Sequence, residues 1–268
     1  NLDGFTYWSP ALPSIDQFKK AGGWYTQCSY PQDAGCKDFT NGASGWDTLE
    51  QSKLDLDANG WPNSLPAAND TNVKYRKVSA LMFQGNGRIQ AAGKYIVLYE
   101  CSGTIEYSMA GTKVAAESVA GRDVVSVTNN TDSGLLVSIT KTDPANHIRN
   151  VRVLPPGGVC SLDKTQFALT AADCSGKGLG DLIPFEKLTG AVWHPSFLAE
   201  LRGFRTLRFM DWGQTNTNDL ATWESRPKFN DAFWSGPHGT PVKAMVSLAN
   251  ALQQRAIEFR RAMETHLA

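Results

Sequence analysis

Between residues 78 and 158 the chain reads as a succession of short apolar runs, each closed by a turn signal, and this regularity limits the fold more than any other feature. Val78 to Gln84 ends at Gly85-Asn-Gly87. Lys94 to Cys101 ends at Ser102-Gly103, and Thr104 to Met109 is followed by Gly111. Asp123 to Thr128 stops at Asn129-Asn130, Leu135 to Thr142 at Asp143-Pro144, and His147 to Leu154 at Pro155-Pro-Gly-Gly158. Runs of this length, rich in β-branched and aromatic residues and punctuated by Gly, Asn and Pro, are strands joined by tight turns. Six in succession predict an antiparallel β-sandwich or jelly roll. The Pro-Pro-Gly-Gly run is the natural linker, so the expected division is 1–157 for the sandwich and an N-terminal wrapping segment, and 158–268 for a loop-rich remainder packed on it.

The flanks have a different texture. Residues 1–70 are irregular, with Trp8, Trp24, Trp46 and Trp61 set among Pro and Gly. Ser14 and Gln17 have the spacing of a capping box over a short helix to Lys20. Residues 159–190 read as loop, and Pro195 to Leu201 as a short helix. Phe204 to Met210 reads as one buried strand, followed at once by a polar loop carrying Asp211, Trp212, Gln214 and Asn216, the layout of a strand with chemistry beyond its carboxyl end. The chain ends in a helical pattern. Val242, Met245, Ala249, Leu252, Ala256, Phe259, Met263 and His266 recur by threes and fours, with Thr240 as cap and Pro241 at the first helical position. That seam serves either a core helix docked on the sheet or a homodimer formed through the 241–267 helix. The expected class is therefore mainly β, a sandwich or jelly roll with a C-terminal βα unit and a long C-terminal helix.

Charge narrows the partners. Lys plus Arg equals Asp plus Glu at 26 each, which argues against nucleic acid and against an acidic membrane surface. No run approaches the roughly 18 apolar residues a membrane span needs. Cys28 and Cys36, then Cys160 and Cys174, lie in loop-like stretches at spacings that suit local disulfides, while Cys101 sits in an apolar strand as a free thiol. No CxxC or His-Cys pattern supports a metal alternative. Disulfides imply a secreted or periplasmic protein, and the start at Asn1 without Met agrees with a leader already removed.

Several residue sets could carry chemistry. Asp211 and Glu224 are the candidate acid/base or nucleophile pair of a glycoside hydrolase, with Glu100 or Glu106 on a sheet face as substitutes. Arg208 could fix a carboxylate. The plainer reading makes Asp211 a structural loop residue. Asp55, Asp57 and Asn59, followed by Gly60, have the alternation of a calcium loop, but Pro62 and Pro66 stand where a helix and a Glu should follow, so the pattern suits either a calcium site outside the EF-hand class or a hydrogen-bonded Asx-turn. All eight Trp fall in loops or at loop edges. Indole faces beside amides and carboxylates suit the C–H faces and hydroxyls of sugars, which makes Trp61, Trp212, Trp223 and Trp234, with Gln214, Asn216 and Arg208, the candidate glycan contacts. Individual Trp could equally seal the ends of the sandwich. Serine-hydrolase, zinc and nucleotide signatures are missing.

Three longer runs carry a resemblance: Leu201 to Asn216, then Trp223 with Arg226-Pro227, then Gly239 to Asn250. With Leu54 to Trp61, Gly93 to Tyr99 and Gly103 to Tyr107, they resemble a group of bacterial secreted proteins. In that group a sandwich like a carbohydrate-binding module precedes a barrel of glycoside-hydrolase type. The resemblance implies a polysaccharide ligand, a neutral β-glycan such as cellulose, β-glucan or xylan. A (β/α)₈ barrel takes roughly 200 residues, and fewer than 80 follow residue 190, so one βα unit is expected here. The leading expectation is polysaccharide recognition without a cofactor. A glycoside hydrolase and an assembly protein dimerising through its last helix are the alternatives.

Overall fold

The computed structural model describes residues 2–28, 36–85, 91–128 and 133–252. The protein is mainly β, and every sheet is antiparallel. The strands are β1 (Tyr25–Gln27), β2 (Lys77–Met82), β3 (Gly93–Glu100), β4 (Gly103–Met109), β5 (Gly111–Lys113), β6 (Arg122–Val127), β7 (Leu135–Thr142), β8 (Arg149–Leu154), β9 (Gly158–Cys160), β10 (Phe167–Ala168) and β11 (Leu182–Pro184). The helices are α1 (Ala171–Ser175), α2 (Pro195–Leu201) and α3 (Val242–Ala251).

One four-stranded sheet runs β1-β2-β7-β4 and another β5-β6-β3-β8. Alternation along the strands sets their register: Val78 pairs with Ile139 and Ala80 with Val137 in the first, Tyr95 with Val125 and Val97 with Val153 in the second. Those side chains meet in one buried cluster, where Val78, Ile139 and Val137 of one sheet join Tyr95, Val97, Val125 and Val153 of the other. Burial of each such side chain is worth roughly 1.5–3 kcal/mol, and a one-residue slip would turn the whole set to solvent. The six runs recognised in the sequence are β2, β3, β4, β6, β7 and β8, with ends shifted by one or two residues. Their turns at 86–87 and 129–130 lie outside the described residues.

The flanks depart further from expectation. Residues 158–184 do not form a plain loop. They form a three-stranded sheet, β10-β9-β11, stapled by the Cys160–Cys174 disulfide, which is buried with Ala168. The Cys28–Cys36 disulfide is formed as well, and Cys101 is free. Gly158 starts β9 in place of a linker. The helix expected from Ser14 is a 3-10 turn over Gln17–Lys20 capped by Asp16, whose Oδ1 accepts the Phe18 N–H at 3.0 Å.

The strand expected at Phe204–Met210 is absent, and with it the βα unit. Phe204 is 60% exposed, and Leu2 N–H donates to the Arg208 carbonyl at 2.9 Å without forming a strand ladder. Leu207 and Phe209 pack against a second cluster of Leu2, Phe5, Trp193, Trp212, Trp234 and Met245. An apolar alternation needs a neighbouring strand edge to become a strand, and the segment beside this one is the irregular N-terminus. Contacts between residues 2–15 and 192–248 therefore run across residue 157: Trp212 Nε1 donates to the Asp3 carbonyl at 2.8 Å, and Ile15 N–H to that of Val192 at 2.9 Å. In α3 the faces of Ala244, Met245 and Leu248 enter the same cluster, which is the core-helix use of the seam. Residues 253–268, where the seam continues, lie outside the described residues. No helix among the described residues is long and apolar enough to cross a membrane.

Candidate functional site

The residues from Met210 onward build a cleft because a short coil anchors one large side chain. Gly213 N–H donates to the Phe209 carbonyl and Thr215 N–H to that of Met210, with Gln214 left-handed at φ 52°. This coil drives Trp212 inward. Its ring meets Phe5 edge-on at 5.2 Å, stacks on Trp193 at 5.7 Å and touches Phe209 at 5.4 Å. Such aromatic contacts are worth about 0.5–1.5 kcal/mol each beyond burial. Thr240 N–H then donates to the Trp212 carbonyl at 2.7 Å and fastens the start of α3 beside the coil.

The long loop between is closed by Asn218. Its Nδ2 donates to the carbonyls of Gly213 at 2.9 Å and His238 at 3.1 Å, drawing the two ends of the loop together. At the far side Ala232 N–H donates to the Asn59 carbonyl at 2.8 Å, and Trp234 N–H to that of Lys19 at 2.9 Å. Between these ties a cleft of about 670 Å³ opens, lined by Asn59, Asn218, Trp223, Arg226, His238 and Lys243 among others. The Arg226 guanidinium lies 3.6 Å from the centre of the Trp223 ring and donates to the Trp223 carbonyl, so the indole is braced while remaining 59% exposed. His238 Nε2 pairs with Asp219 Oδ1 at 3.0 Å. The lining offers two aromatic side chains, Trp223 and Phe229, the amides of Asn59, Asn218 and Asn230, and three cationic side chains, Arg226, Lys228 and Lys243, a set rich in hydrogen-bond donors.

The expected site residues separate. Of the four candidate glycan Trp, only Trp223 is at the cleft and in reach of a ligand. Trp61, Trp212 and Trp234 are 1%, 1% and 2% exposed, belong to the two cores and do not line this cleft, although Trp61 and Trp234 border a neighbouring cavity. Trp24 and Trp193 are buried too, whereas Trp8 and Trp46 are on the surface. Gln214 is half-buried and Asn216 exposed in the coil, outside the cleft wall. Arg208 is exposed and directs Nη2 to the Met210 sulfur at 2.9 Å, where a carboxylate partner was expected. Neither Asp211 nor Glu224 lines the cleft, and Glu224 is exposed, so the structure does not bring a catalytic carboxylate pair together there. Glu100 lies on β3 against Arg149 at 3.6 Å, and Glu106 on β4 takes a 3.4 Å hydrogen bond from Thr140, each away from this cleft.

The loop suspected of holding calcium is an Asx-turn. Asp57 Oδ1 accepts the N–H groups of Asn59 at 2.8 Å and Trp61 at 2.9 Å, while its Oδ2 pairs with His147 Nε2 at 3.1 Å. Burial opposes ionisation of Asp57, but these hydrogen bonds outweigh it and hold the carboxyl below its usual range. Asp55 accepts the side chains of Asn63 and Ser64, each at 2.9 Å, which likewise lowers its pKa. Among the described residues no group of three or more His, Cys, Asp or Glu side chains could hold a metal ion.

Asn218, His238 and Lys243 were not foreseen as site residues. Their sequence context is an ordinary polar loop and a helix start, and only loop closure gathers them. No protein-family model matches the chain, nor does any curated protein or solved structure.

Proposed function

We propose that this protein recognises a neutral polysaccharide, a β-glycan of the cellulose, β-glucan or xylan class, through the cleft beside Trp223. The observation that carries the reading is the braced, exposed indole lining a cleft whose amides and cationic side chains offer hydrogen bonds to hydroxyl oxygens. A sugar ring presents an apolar C–H face to such an indole and its hydroxyls to the amides around it. The Arg226 stack fixes the ring before the ligand arrives, which lowers the ordering cost of binding. In this reading the two four-stranded sheets are the layers of a β-sandwich scaffold, and the two disulfides fit a secreted or periplasmic setting. Kinship with glycoside hydrolases remains part of the proposal, with recognition placed ahead of hydrolysis because Asp211 and Glu224 stand outside the cleft.

The test is retention on insoluble cellulose and xylan and on immobilised β-glucan, with released reducing sugar assayed in the same tubes. The wild type should be retained on at least one glycan without releasing sugar, and Trp223→Ala should weaken retention about threefold to tenfold, the equivalent of one aromatic contact. Failure of the wild type to bind all three, or retention indifferent to Trp223, would sink the reading. Sugar release abolished by Asp211→Asn or Glu224→Gln would replace it with hydrolysis.

A further inference from the structure

A second cavity, of about 420 Å³, lies behind the Trp223 cleft, with Phe229 and Asn230 forming part of both walls. Its floor is the open edge of β8 and its other side is the segment from Ser14 to Lys19. Asp16 stands where a further strand would pair. Its Oδ1 accepts the N–H of Val153 and that of Phe18, both at 3.0 Å. Both bonds fall on the same oxygen of a side chain that is 9% exposed and lines the cavity, so the carboxyl is fixed by Oδ1 and has Oδ2 left for a ligand. Burial pushes this carboxyl above its usual range, with Lys19 and Arg152 opposing the shift.

Arg152, one residue along β8, also lines the cavity and is half-buried; its backbone is in the ladder with Leu98, while its guanidinium makes no hydrogen bond or ion pair with another described residue. Asn150 on the same strand is left-handed at φ 53°, a conformation asparagine tolerates, and also lines the cavity. Lys19 directs Nζ to the Asp231 carbonyl at 2.5 Å and so holds the 228–234 segment against the cavity. The lining thus has two cations, Lys19 and Arg152, balanced by two carboxylates, Asp16 and Glu100, with amides between them. An anionic ligand would face both carboxylates and a cation both basic groups. A ligand whose groups each donate and accept, such as a sugar hydroxyl, can satisfy the set.

We propose that this cavity is a second carbohydrate site, separate from the Trp223 cleft, which takes a single sugar residue or disaccharide end of a neutral glycan. Asp16 Oδ2 accepts from one hydroxyl of that sugar, and the Arg152 guanidinium donates to its ring or hydroxyl oxygens. The ligand class rests on the polysaccharide reading above, whereas the site itself rests on the fixed carboxyl, the guanidinium without a hydrogen-bond partner and a cavity volume within the roughly 300–1,000 Å³ of small-molecule sites.

Ligand-observed NMR and calorimetry with glucose, cellobiose, xylose and xylobiose test it, on the wild type, Arg152→Ala, Asp16→Asn and Trp223→Ala. Arg152→Ala breaks no side-chain hydrogen bond of the fold, only the longer-range attraction to Asp16, and Asp16→Asn keeps the Oδ1 acceptor for Val153 and Phe18. Arg152→Ala should cost tenfold or more in affinity for at least one of these sugars with the fold intact, while its Trp223-dependent retention on insoluble polysaccharide stays near that of the wild type. Should Asp16→Asn fail to fold, Arg152→Ala decides alone. No binding of any of the four sugars, or binding that Arg152→Ala leaves unchanged, overturns the second site. Polysaccharide retention that still depends on Trp223 would then keep the first reading intact, and loss of both kinds of binding would end both.

Discussion

Acidification should destabilise this protein through His194, and the size of the effect follows from how the ring is held. His194 caps α2: its Nδ1 accepts the Ser196 N–H at 3.3 Å, which requires a neutral imidazole. The ring is wedged between Phe167, at 4.9 Å, and Phe185, at 5.2 Å, and the residue is 2% exposed. Burial lowers its pKa from 6.5 to about 4. Between these values the unfolded chain binds a proton that the native state refuses. The contribution is therefore complete above the unfolded pKa and is lost as pH falls from 6.5 toward 4. A shift of 2.5 units, 6.5 minus 4, at about 1.36 kcal/mol per unit is about 3 kcal/mol, a large part of the roughly 5–15 kcal/mol that holds a domain folded. The comparison is His194→Asn, which retains an acceptor for the cap and does not titrate. Urea unfolding of both proteins between about pH 7.5 and pH 4.5 should show the wild type losing about 2.5 kcal/mol more than the variant over that range, the last part of the shift falling below pH 4.5. Burial also raises the carboxyls of Asp16 and Asp231, which slopes stability the other way, but that slope is common to both proteins and cancels. Parallel pH profiles would refute the reasoning, because His194 would then be either hydrated or charged in the native state.

Three further outcomes separate scaffold from site. Trp212→Ala should lose about 3–5 kcal/mol in denaturant unfolding, the cost of emptying a packed aromatic site, whereas Trp223→Ala should change stability by less than about 0.5 kcal/mol; similar losses for the two would contradict their opposite burial. Gly239→Ala should cost more than about 1 kcal/mol, since Gly239 has φ 78° and a Cβ there would stand 2.3 Å from the Trp212 carbonyl oxygen; an unchanged thermal midpoint would show that the coil can yield. Replacing Cys160 and Cys174 together by Ser should cost about 3 kcal/mol, as expected for closing a loop of this length, and hydrogen exchange should quicken first in β9 to β11; uniform quickening across both larger sheets would mean that the small sheet does not open by itself.

Much of the scaffold could be read locally. β2, β3, β4, β6, β7 and β8 are announced by alternation and turn residues because a strand buried on one face needs an apolar residue at every second position, whichever strand it pairs with. Both disulfides join cysteines close in sequence, so spacing sufficed. The start of α3 was legible to within one residue, with Pro241 just ahead of Val242, since a missing N–H is harmless there. Phe204 to Met210 shows where local reading stops: its apolar pattern is that of a strand, yet no sheet edge reaches it, and a pattern cannot supply the hydrogen-bonding neighbour. The tryptophans divide in the same way. Trp61, Trp212, Trp223 and Trp234 all lie in polar loops with indistinguishable surroundings in the sequence. Three are core and one is exposed because burial depends on which distant segments arrive: Phe5 from the N-terminus covers Trp212 and Trp234, Phe18 covers Trp61, and only Arg226 from its own loop rests on Trp223. Asp16 is decided the same way, by a strand edge 137 residues later. The residue types of both candidate sites were written in the sequence, but their meeting was a matter of chain crossings, which no local propensity encodes.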